Sequence, residues 1–227
     1  MRAIYCRQIQ RLGLSNTPQR ILDVGCGTGI WTKQLSELGA TIGMDYSREA
    51  LAFCRTHKLP NILAASACEI PFKPGTFSLV TAFGVIEHVD EDTKMLSELH
   101  RACKSGGYIF LLTSAYRFLW SSHDDFVHHK RRYLQSELAH KVREVGFEIV
   151  KISYINSILF PAIAVARMLQ RIERLQPKSA KEVTQAFEMK GFLNKVLLKI
   201  LKIEAFLLQF ISFPFGVGLL CIARKPA

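Results

Sequence analysis

From Arg20 to about Thr113 the chain alternates short apolar runs with stretches whose apolar residues recur at helical spacing. That alternation marks βαβ units laid on a parallel sheet. Strands are predicted near residues 20–25, 40–45, 61–65, 77–83 and 107–113, with helices near 29–38, 47–57 and 91–104 between them. Asp90 and Asp92 favour the start of the last of these helices through capping and the helix dipole. Lys104-Ser-Gly-Gly107 is expected to end it, because glycine tolerates the left-handed closing turn. A further helix over about 134–145 stops at Gly146, a strand follows at 147–154, and the final strand is expected at 216–224. Between the last two strands, residues 156–212 read as helical and basic, with Pro161, Pro177 and Pro214 as breakers.

Bulk properties change this picture little. A length of 227 residues with 49% hydrophobic content suits one domain with a sizeable core. The expected division is a core over 1–155, a helical insertion over 156–212 and the last strand within 213–227. Cys6, Cys26, Cys54, Cys68, Cys103 and Cys221 form no Cys-x-x-Cys pair, which reads as reduced thiols in the cytoplasm. Met1 to Leu14 carries Arg2, Arg7 and Arg11 and lacks the apolar core of a signal peptide, so export is not expected. Residues 155–169 are too short to span a bilayer, and Lys195, Lys199, Lys202 and Glu204 interrupt 192–213.

Charge is distributed unevenly. The net +11 resides mostly in residues 151–227, which hold 12 basic and 4 acidic side chains. An anionic partner would be sought there, although a basic surface also serves solubility alone. In the stretch near 192–210 the three lysines share one face, and leucine, isoleucine and phenylalanine cover the rest. Such a helix can rest on an anionic membrane, cover a lipid substrate, or pack into a core or dimer with its lysines in water. No nucleic-acid motif accompanies the charge, and none of that partner class is expected.

The chemistry concentrates at the end of the first strand, in Asp23-Val24-Gly25-Cys26-Gly27-Thr28-Gly29. A strand that ends in Gly-x-Gly-x-Gly and opens into a helix presents backbone N–H groups to a ligand, and a Cβ would block the approach. The dinucleotide fingerprint needs glycine at position 30, where this chain has Ile30, so a nicotinamide oxidoreductase is disfavoured. Asp45, 20 residues after Gly25, can accept two hydrogen bonds from a ribose diol; the alternative is that it caps the helix near Ser47.

Five motifs then stand in order: Ile21-Leu-Asp-Val-Gly-Cys-Gly-Thr-Gly29, Gly43-Met-Asp-Tyr-Ser47, Ile70-Pro71-Phe72 with Thr76-Phe77-Ser78-Leu79-Val80, Val85-Ile86-Glu87-His88-Val89, and Leu99-His100-Arg101 through Gly106-Gly107-Tyr108. Over about residues 20–154 the chain resembles class I, Rossmann-like S-adenosylmethionine-dependent methyltransferases, in particular the bacterial type 11/12 methyltransferase-domain group. The resemblance implies an α/β fold with a doubly wound, mostly parallel seven-stranded sheet. Its strand order would be 3-2-1-4-5-7-6 with the last strand antiparallel, helices on both faces and a helical insertion between the last two strands. It also implies S-adenosyl-L-methionine as cofactor and S-adenosyl-L-homocysteine as product. Asp23, Gly25, Gly27 and Gly29 would hold the methionine and ribose portion and Asp45 the ribose hydroxyls, with Cys26 and Tyr46 also among the cofactor-binding residues. Ser66, Ala67 and Cys68 would flank adenine, with Phe83 completing the set. Ser66 replaces the family's usual acidic residue, Ser78 the usual aspartate, and Ser105 the usual proline.

Methyl transfer from a sulfonium is an in-line displacement, in which alignment is the main task and a base is needed only when the nucleophile must lose a proton. Candidate catalytic residues are His88 as base, Glu87 either orienting it or facing the cofactor, and His129; the alternative is structural, with His88 packed on the next helix and Glu87 bonding backbone amides. Metal-binding quinone-pathway O-methyltransferases have a glutamate where this chain has Gly84, so no metal is expected. The segment from Trp120 to Tyr133 combines imidazoles, a basic triplet and aromatic rings, and resembles a His-x-Arg-Arg-Tyr stretch of the same bacterial group. Trp120, His123, His128, Arg131, Arg132 and Tyr133 are its candidate substrate residues; the alternative is a solvated loop salt-bridged to Asp124 and Asp125. The expected activity is transfer to an oxygen or nitrogen of a small or lipid-linked acceptor, such as an envelope glycan or polyprenyl intermediate. The alternative is a methyltransferase-like, weakly active or inactive cofactor-binding partner protein. A cytoplasmic protein is expected, peripheral to the membrane in one reading, and either monomer or homodimer.

Overall fold

The computed structural model describes residues 8, 9, 12, 19–57, 59, 61–172 and 192–227. Seven strands form one sheet in the order β3-β2-β1-β4-β5-β7-β6. They are β1 (Gln19–Val24), β2 (Gly39–Asp45), β3 (Ile62–Ala64), β4 (Phe77–Phe83), β5 (Cys103–Ser114), β6 (Glu148–Ile155) and β7 (Gly218–Arg224). All neighbours pair in parallel except β7, which runs antiparallel to both β5 and β6. The helices are α1 (Ile30–Leu35), α2 (Arg48–Thr56), α3 (Asp92–Ala102), α4 (Ser122–Phe126), α5 (Gln135–Glu144), α6 (Phe160–Ile172) and α7 (Phe192–Leu207). The Rossmann-like order implied by the sequence motifs is the order observed.

The two faces of the sheet follow from strict alternation along its strands. Leu22 and Val24, Val80 and Ala82, and Ile109 and Leu111 point to one face, where Met95 and Leu99 of α3 and Leu138 and Val142 of α5 cover them. Ile21, Leu79, Phe110, Leu112, Leu220 and Ile222 point to the other, where Leu35 of α1 and Ala205 of α7 join them. Helix α7 is therefore anchored in the second layer by its C-terminal turns. Its buried Glu204 accepts a hydrogen bond from the Ile158 amide at 3.0 Å and so ties the two ends of the insertion together.

Three local expectations are corrected. Helix α3 does not close through a left-handed turn: Cys103 is already extended (φ −71°, ψ 133°), and β5 starts there, four residues before the predicted 107. Gly106 (φ +73°) instead lies inside β5, which has a register shift against β4 between Phe77 and Leu79. Asp92 occupies the first turn of α3 but spends its carboxylate on Tyr133, Arg131 and Lys141, and no side chain caps that helix. Pro161 lies in the first turn of α6, where a missing N–H costs nothing, and breaks no helix. Pro177 lies outside the described residues.

Candidate active site

A cleft of about 810 Å³ opens at the carboxyl ends of β1, β2 and β4, where doubly wound sheets bind ligands. Its floor is the turn from β1 into α1. Gly25 (φ +67°) and Gly27 (φ +55°) adopt the left-handed region that favours glycine. A Cβ on Gly25 would also collide with Val85, whereas no atom lies within 4 Å of the corresponding point on Gly27, which faces open cleft. Asp45, at the end of β2, holds this turn. Its Oδ2 accepts the Gly27 N–H at 2.8 Å and its Oδ1 accepts the Ser47 N–H at 2.8 Å. Ser47, rather than Asp45, is the N-cap of α2, through a 3.1 Å bond from the Ala50 N–H. A carboxylate has about four acceptor sites, so Asp45 retains capacity for a diol.

Asp23 lies beneath the loop and does not line the cleft. Its two oxygens accept the hydroxyls of Thr32 and Thr81, both at 2.7 Å, which pins α1 and β4 to β1. Burial pushes its pKa up to about 6, against the lowering effect of those two hydroxyls. Gly29 is the N-cap of α1 and likewise lies outside the cleft lining. Cys26, Tyr46, Ser66, Ala67, Cys68 and Phe83 all border the cleft. Ser66 Oγ accepts the Cys68 N–H at 3.2 Å, and the turn continues into Ile70, whose N–H meets Glu98 and whose carbonyl meets Arg101. Helix α3 thus fixes the wall that carries residues 66–68.

Of the catalytic candidates, His88 borders the cleft. His129 lies behind it, ring centroids 4.7 Å apart and edge to face. Burial lowers the His88 pKa, and the nearby Glu87 carboxylate offsets only part of this, so the ring is neutral near pH 7. His129 Nδ1 meets Asp124 Oδ1 at 2.7 Å. Glu87 is buried and faces a second cavity of about 270 Å³ that shares Trp31, Phe83 and Gly84 with the cleft.

Of the 120–133 segment Lys130 alone borders the cleft, and none of its residues lines the second cavity. The segment closes around Asp124, which is fully buried at the N-terminus of α4 inside a capping box with Ser121. Arg132 donates Nε–H to Asp124 Oδ1 at 2.7 Å and Nη2–H to Oδ2 at 3.0 Å, while Arg167 of α6 approaches Oδ2 at 3.7 Å. Burial alone would raise the Asp124 pKa, but His129 and Arg132 outweigh it and hold the carboxyl well below the usual range. Tyr133 is buried with its hydroxyl donated to Asp92 at 2.8 Å, Arg131 pairs with Asp92 at 2.9 Å, and Trp120 Nε1–H meets Asp125 at 2.9 Å. His123 belongs to α4, and His128 turns the chain at φ +57°. The basic side chains meet Asp124, Asp92 and Asp90 rather than Asp125, whose carboxylate takes the Trp120 ring N–H, and Asp124 is a buried carboxylate rather than part of a solvated loop.

Sequence reasoning missed Trp31, Gly84, Glu91 and Lys130, all on the cleft wall. Lys130 pairs with Asp90 at the rim. It sits in the same basic run as Arg131 and Arg132, so its position along that run was the available signal. Among the described residues no cluster of three or more His, Cys, Asp or Glu side chains is placed to hold a metal.

Sheet order, glycine turn and the acid after β2 together define a Rossmann-like enzyme built for a nucleoside-bearing cofactor. Residues 22–111 match the family described as a methyltransferase domain. The chain is similar to the ubiquinone biosynthesis O-methyltransferase of Pseudomonas aeruginosa, 31% identical over 160 residues that span 62% of this chain and 68% of the relative. The corresponding enzyme of Burkholderia thailandensis is 29% identical, over 61% and 68%. The fold is shared with an S-adenosylmethionine-dependent methyltransferase from Mesorhizobium loti (TM-score 0.62, 16% identity, 98% of each chain). It is shared too with phosphoethanolamine N-methyltransferase 2 of Haemonchus contortus in complex with S-adenosyl-L-methionine (TM-score 0.62, 22% identity, 98% of this chain and 52% of that one). The chain belongs to the methyltransferase-domain family and is an S-adenosylmethionine-dependent methyltransferase. The geometry fits that cofactor: an open glycine turn, a carboxylate with acceptor capacity, and a cleft of sufficient size.

Proposed function

We propose that this enzyme methylates an oxygen or nitrogen atom of a lipid-linked acceptor, working against an anionic membrane surface. The observation that carries the reading is the outer face of α7. Lys195, Lys199 and Lys202 are exposed there, and Leu198, Ile203 and Phe206 are exposed beside them, with Phe210 and Ile211 just beyond. Lysines bind headgroup phosphates while the apolar residues enter the acyl boundary. The insertion is rooted at Asn156 and Val217, on the wall of the second cavity. An acceptor head can thus enter beside the cofactor while its tail follows α6 and α7. No helix among the described residues is long and apolar enough to cross a membrane, so contact would be peripheral.

Within the cleft, Asp45 takes the ribose hydroxyls, the 66–68 wall flanks adenine, and the Gly25–Gly27 turn meets the methionine portion. Bound S-adenosylmethionine supplies a methyl group on a sulfonium, which carries the intrinsic reactivity. Neutral His88 accepts the proton that the acceptor loses, and His129, held by Asp124, fixes the ring from behind. The Trp120–Tyr133 segment is the scaffold for this pair. Residues 1–155 and 213–227 form the catalytic core, and 156–212 the acceptor-facing part of the same domain.

The test is incubation with methyl-tritiated cofactor and a bacterial total-lipid extract or a water-soluble metabolite pool. Label recovered in the organic phase, and lost with Lys195→Glu/Lys199→Glu/Lys202→Glu, supports the reading. Label confined to water-soluble product overturns the lipid-linked acceptor.

A further inference from the structure

We infer that Cys26 and Cys54 are an oxidisable pair whose disulfide closes the cofactor site. The inference rests on the cofactor lying against the Gly25–Gly27 turn and is independent of the acceptor. The two cysteines are far apart in sequence, with no Cys-x-x-Cys spacing, yet the fold brings them together beneath that turn. Cys26 belongs to the turn itself and borders the cleft, and Cys54 comes from the last turn of α2. Their thiols converge on one carbonyl. Cys54 donates its S–H to the Gly27 oxygen at 3.1 Å, and Cys26 Sγ lies 3.9 Å from the same oxygen. The two thiols also hydrogen-bond one another, and Leu51, Leu59 and Ile62 pack around them.

Gly27 is therefore held at both of its polar groups. Its N–H goes to Asp45 Oδ2 at 2.8 Å, and its C=O takes the Cys54 S–H. A disulfide has no S–H to donate, so oxidation leaves that carbonyl without its thiol donor and draws Cys26 toward α2. Packing beneath the turn has little room to absorb the shift. A Cβ on Gly29 would meet Cys54 Sγ at 2.9 Å, and one on Gly43 would meet Cys26 Sγ at 3.1 Å. The displacement passes instead to Gly27, which faces open cleft, and that is the backbone the cofactor must approach.

The oxidant is a hydroperoxide, one molecule per pair. Cys54 is 0% exposed, whereas Cys26, at 5%, borders the cleft, so the oxidant arrives by the route the cofactor uses. With hydrogen peroxide, Cys26 Sγ attacks one oxygen, the O–O bond breaks, and the departing hydroxide leaves as water with the thiol proton. Cys54 Sγ then attacks the sulfur of the resulting sulfenic acid, the S–O bond breaks, and a second water leaves with the Cys54 proton. Two thiols are oxidised to one disulfide and the peroxide is reduced to two waters. Burial chiefly, with Asp23 and Asp45 nearby, pushes both thiols up, so the step is slow at neutral pH and quickens as pH rises. Bound cofactor covers Cys26, so only the empty enzyme is open to oxidation.

The test treats the full chain with hydrogen peroxide at mildly alkaline pH, blocks remaining thiols with N-ethylmaleimide and maps the tryptic peptides. The expected product joins residues 21–33, which contain Cys26, to residues 49–55, which contain Cys54. S-adenosylhomocysteine at about 100 times its dissociation constant leaves on the order of 1% of clefts empty, and should slow this cross-link at least about tenfold. By calorimetry the oxidised protein should bind S-adenosylhomocysteine at least about tenfold more weakly, with recovery on adding dithiothreitol. Cys54→Ser cannot form the cross-link, so its affinity should be the same before and after peroxide. Absence of the joined peptide, equal rates with and without S-adenosylhomocysteine, equal affinities of oxidised and reduced protein, or a peroxide-dependent loss that persists in Cys54→Ser would each overturn the inference. The reduced protein is titrated in the same series, so a failure of the cofactor placement shows there as absent binding.

Discussion

Replacing Asp124 by asparagine tests whether the Trp120–Tyr133 segment is scaffold or substrate grip. The substitution keeps the shape and removes the charge. Asp124 is 0% exposed and Arg132 5% exposed, and the pair is bidentate at 2.7 and 3.0 Å. Without the carboxylate, Arg132 is a buried cation with no charged partner beyond the more distant surroundings, and breaking such a pair costs about 3–5 kcal/mol. The exposed Lys94–Glu91 pair, 3.3 Å apart, provides the comparison: Lys94→Ala should change stability by no more than about 1 kcal/mol. Urea unfolding followed by circular dichroism measures both. A second variant, Asp124→Leu/Arg132→Met, removes both charges and should recover part of the loss, because the penalty lies in the unpaired ion. The pH dependence has a definite sign. The folded carboxyl is held low, so its contribution is present above the unfolded pKa of about 4 and is lost as pH falls below it. Asp124→Asn should lack that part of the acid loss. If Asp124→Asn unfolds at the wild-type urea midpoint while turnover collapses, the scaffold argument fails and the segment serves the substrate.

Three other outcomes follow from the same geometry. Asp45→Ala should weaken S-adenosylhomocysteine binding about 10- to 100-fold by calorimetry, since it removes a charged acceptor and the Gly27 tether together; unchanged affinity would remove Asp45 from the cofactor site. Gly25→Ala, strained at φ +67° and meeting Val85, should lower the melting temperature by several degrees and abolish cofactor binding. Asp23 has the opposite pH signature to Asp124. Its pKa is raised to about 6, so its contribution is full below about pH 4 and lost as pH rises through 6. Asp23→Asn should flatten the stability–pH curve across that interval, and an unaltered slope would show that the carboxyl is not desolvated.

The sheet was legible because its strands carry their two-faced pattern openly. Residues 21 and 22, 79 and 80, and 109 and 110 each send neighbouring apolar side chains to opposite cores. The glycine turn and Asp45 were legible because a short backbone motif and a nearby acid fix their own geometry. Asp124 was not. Its partners His129, Arg132 and Arg167 come from three positions along the chain, and sequence cannot say that the acid among them is buried. Helix α4 was missed although Ser121-x-x-Asp124 is a capping box in plain sequence. The second cavity was invisible for a deeper reason: it exists only where the ends of four strands meet.

The position of β7 also orders events in time. It lies between β5 and β6, and about 60 residues separate Ile155 from Gly218. At ~5–20 residues per second, a ribosome takes on the order of 3–12 s to pass from one to the other. During that interval β6 has been made and the strand that pairs with it has not. β5 and β6 run parallel to each other, so they can pair prematurely, and β7 must then displace that contact to enter. Unpaired strand edges are sites of misassociation. The length of the insertion therefore sets how long the nascent sheet stays open, and shortening it should raise the yield of correctly folded chain.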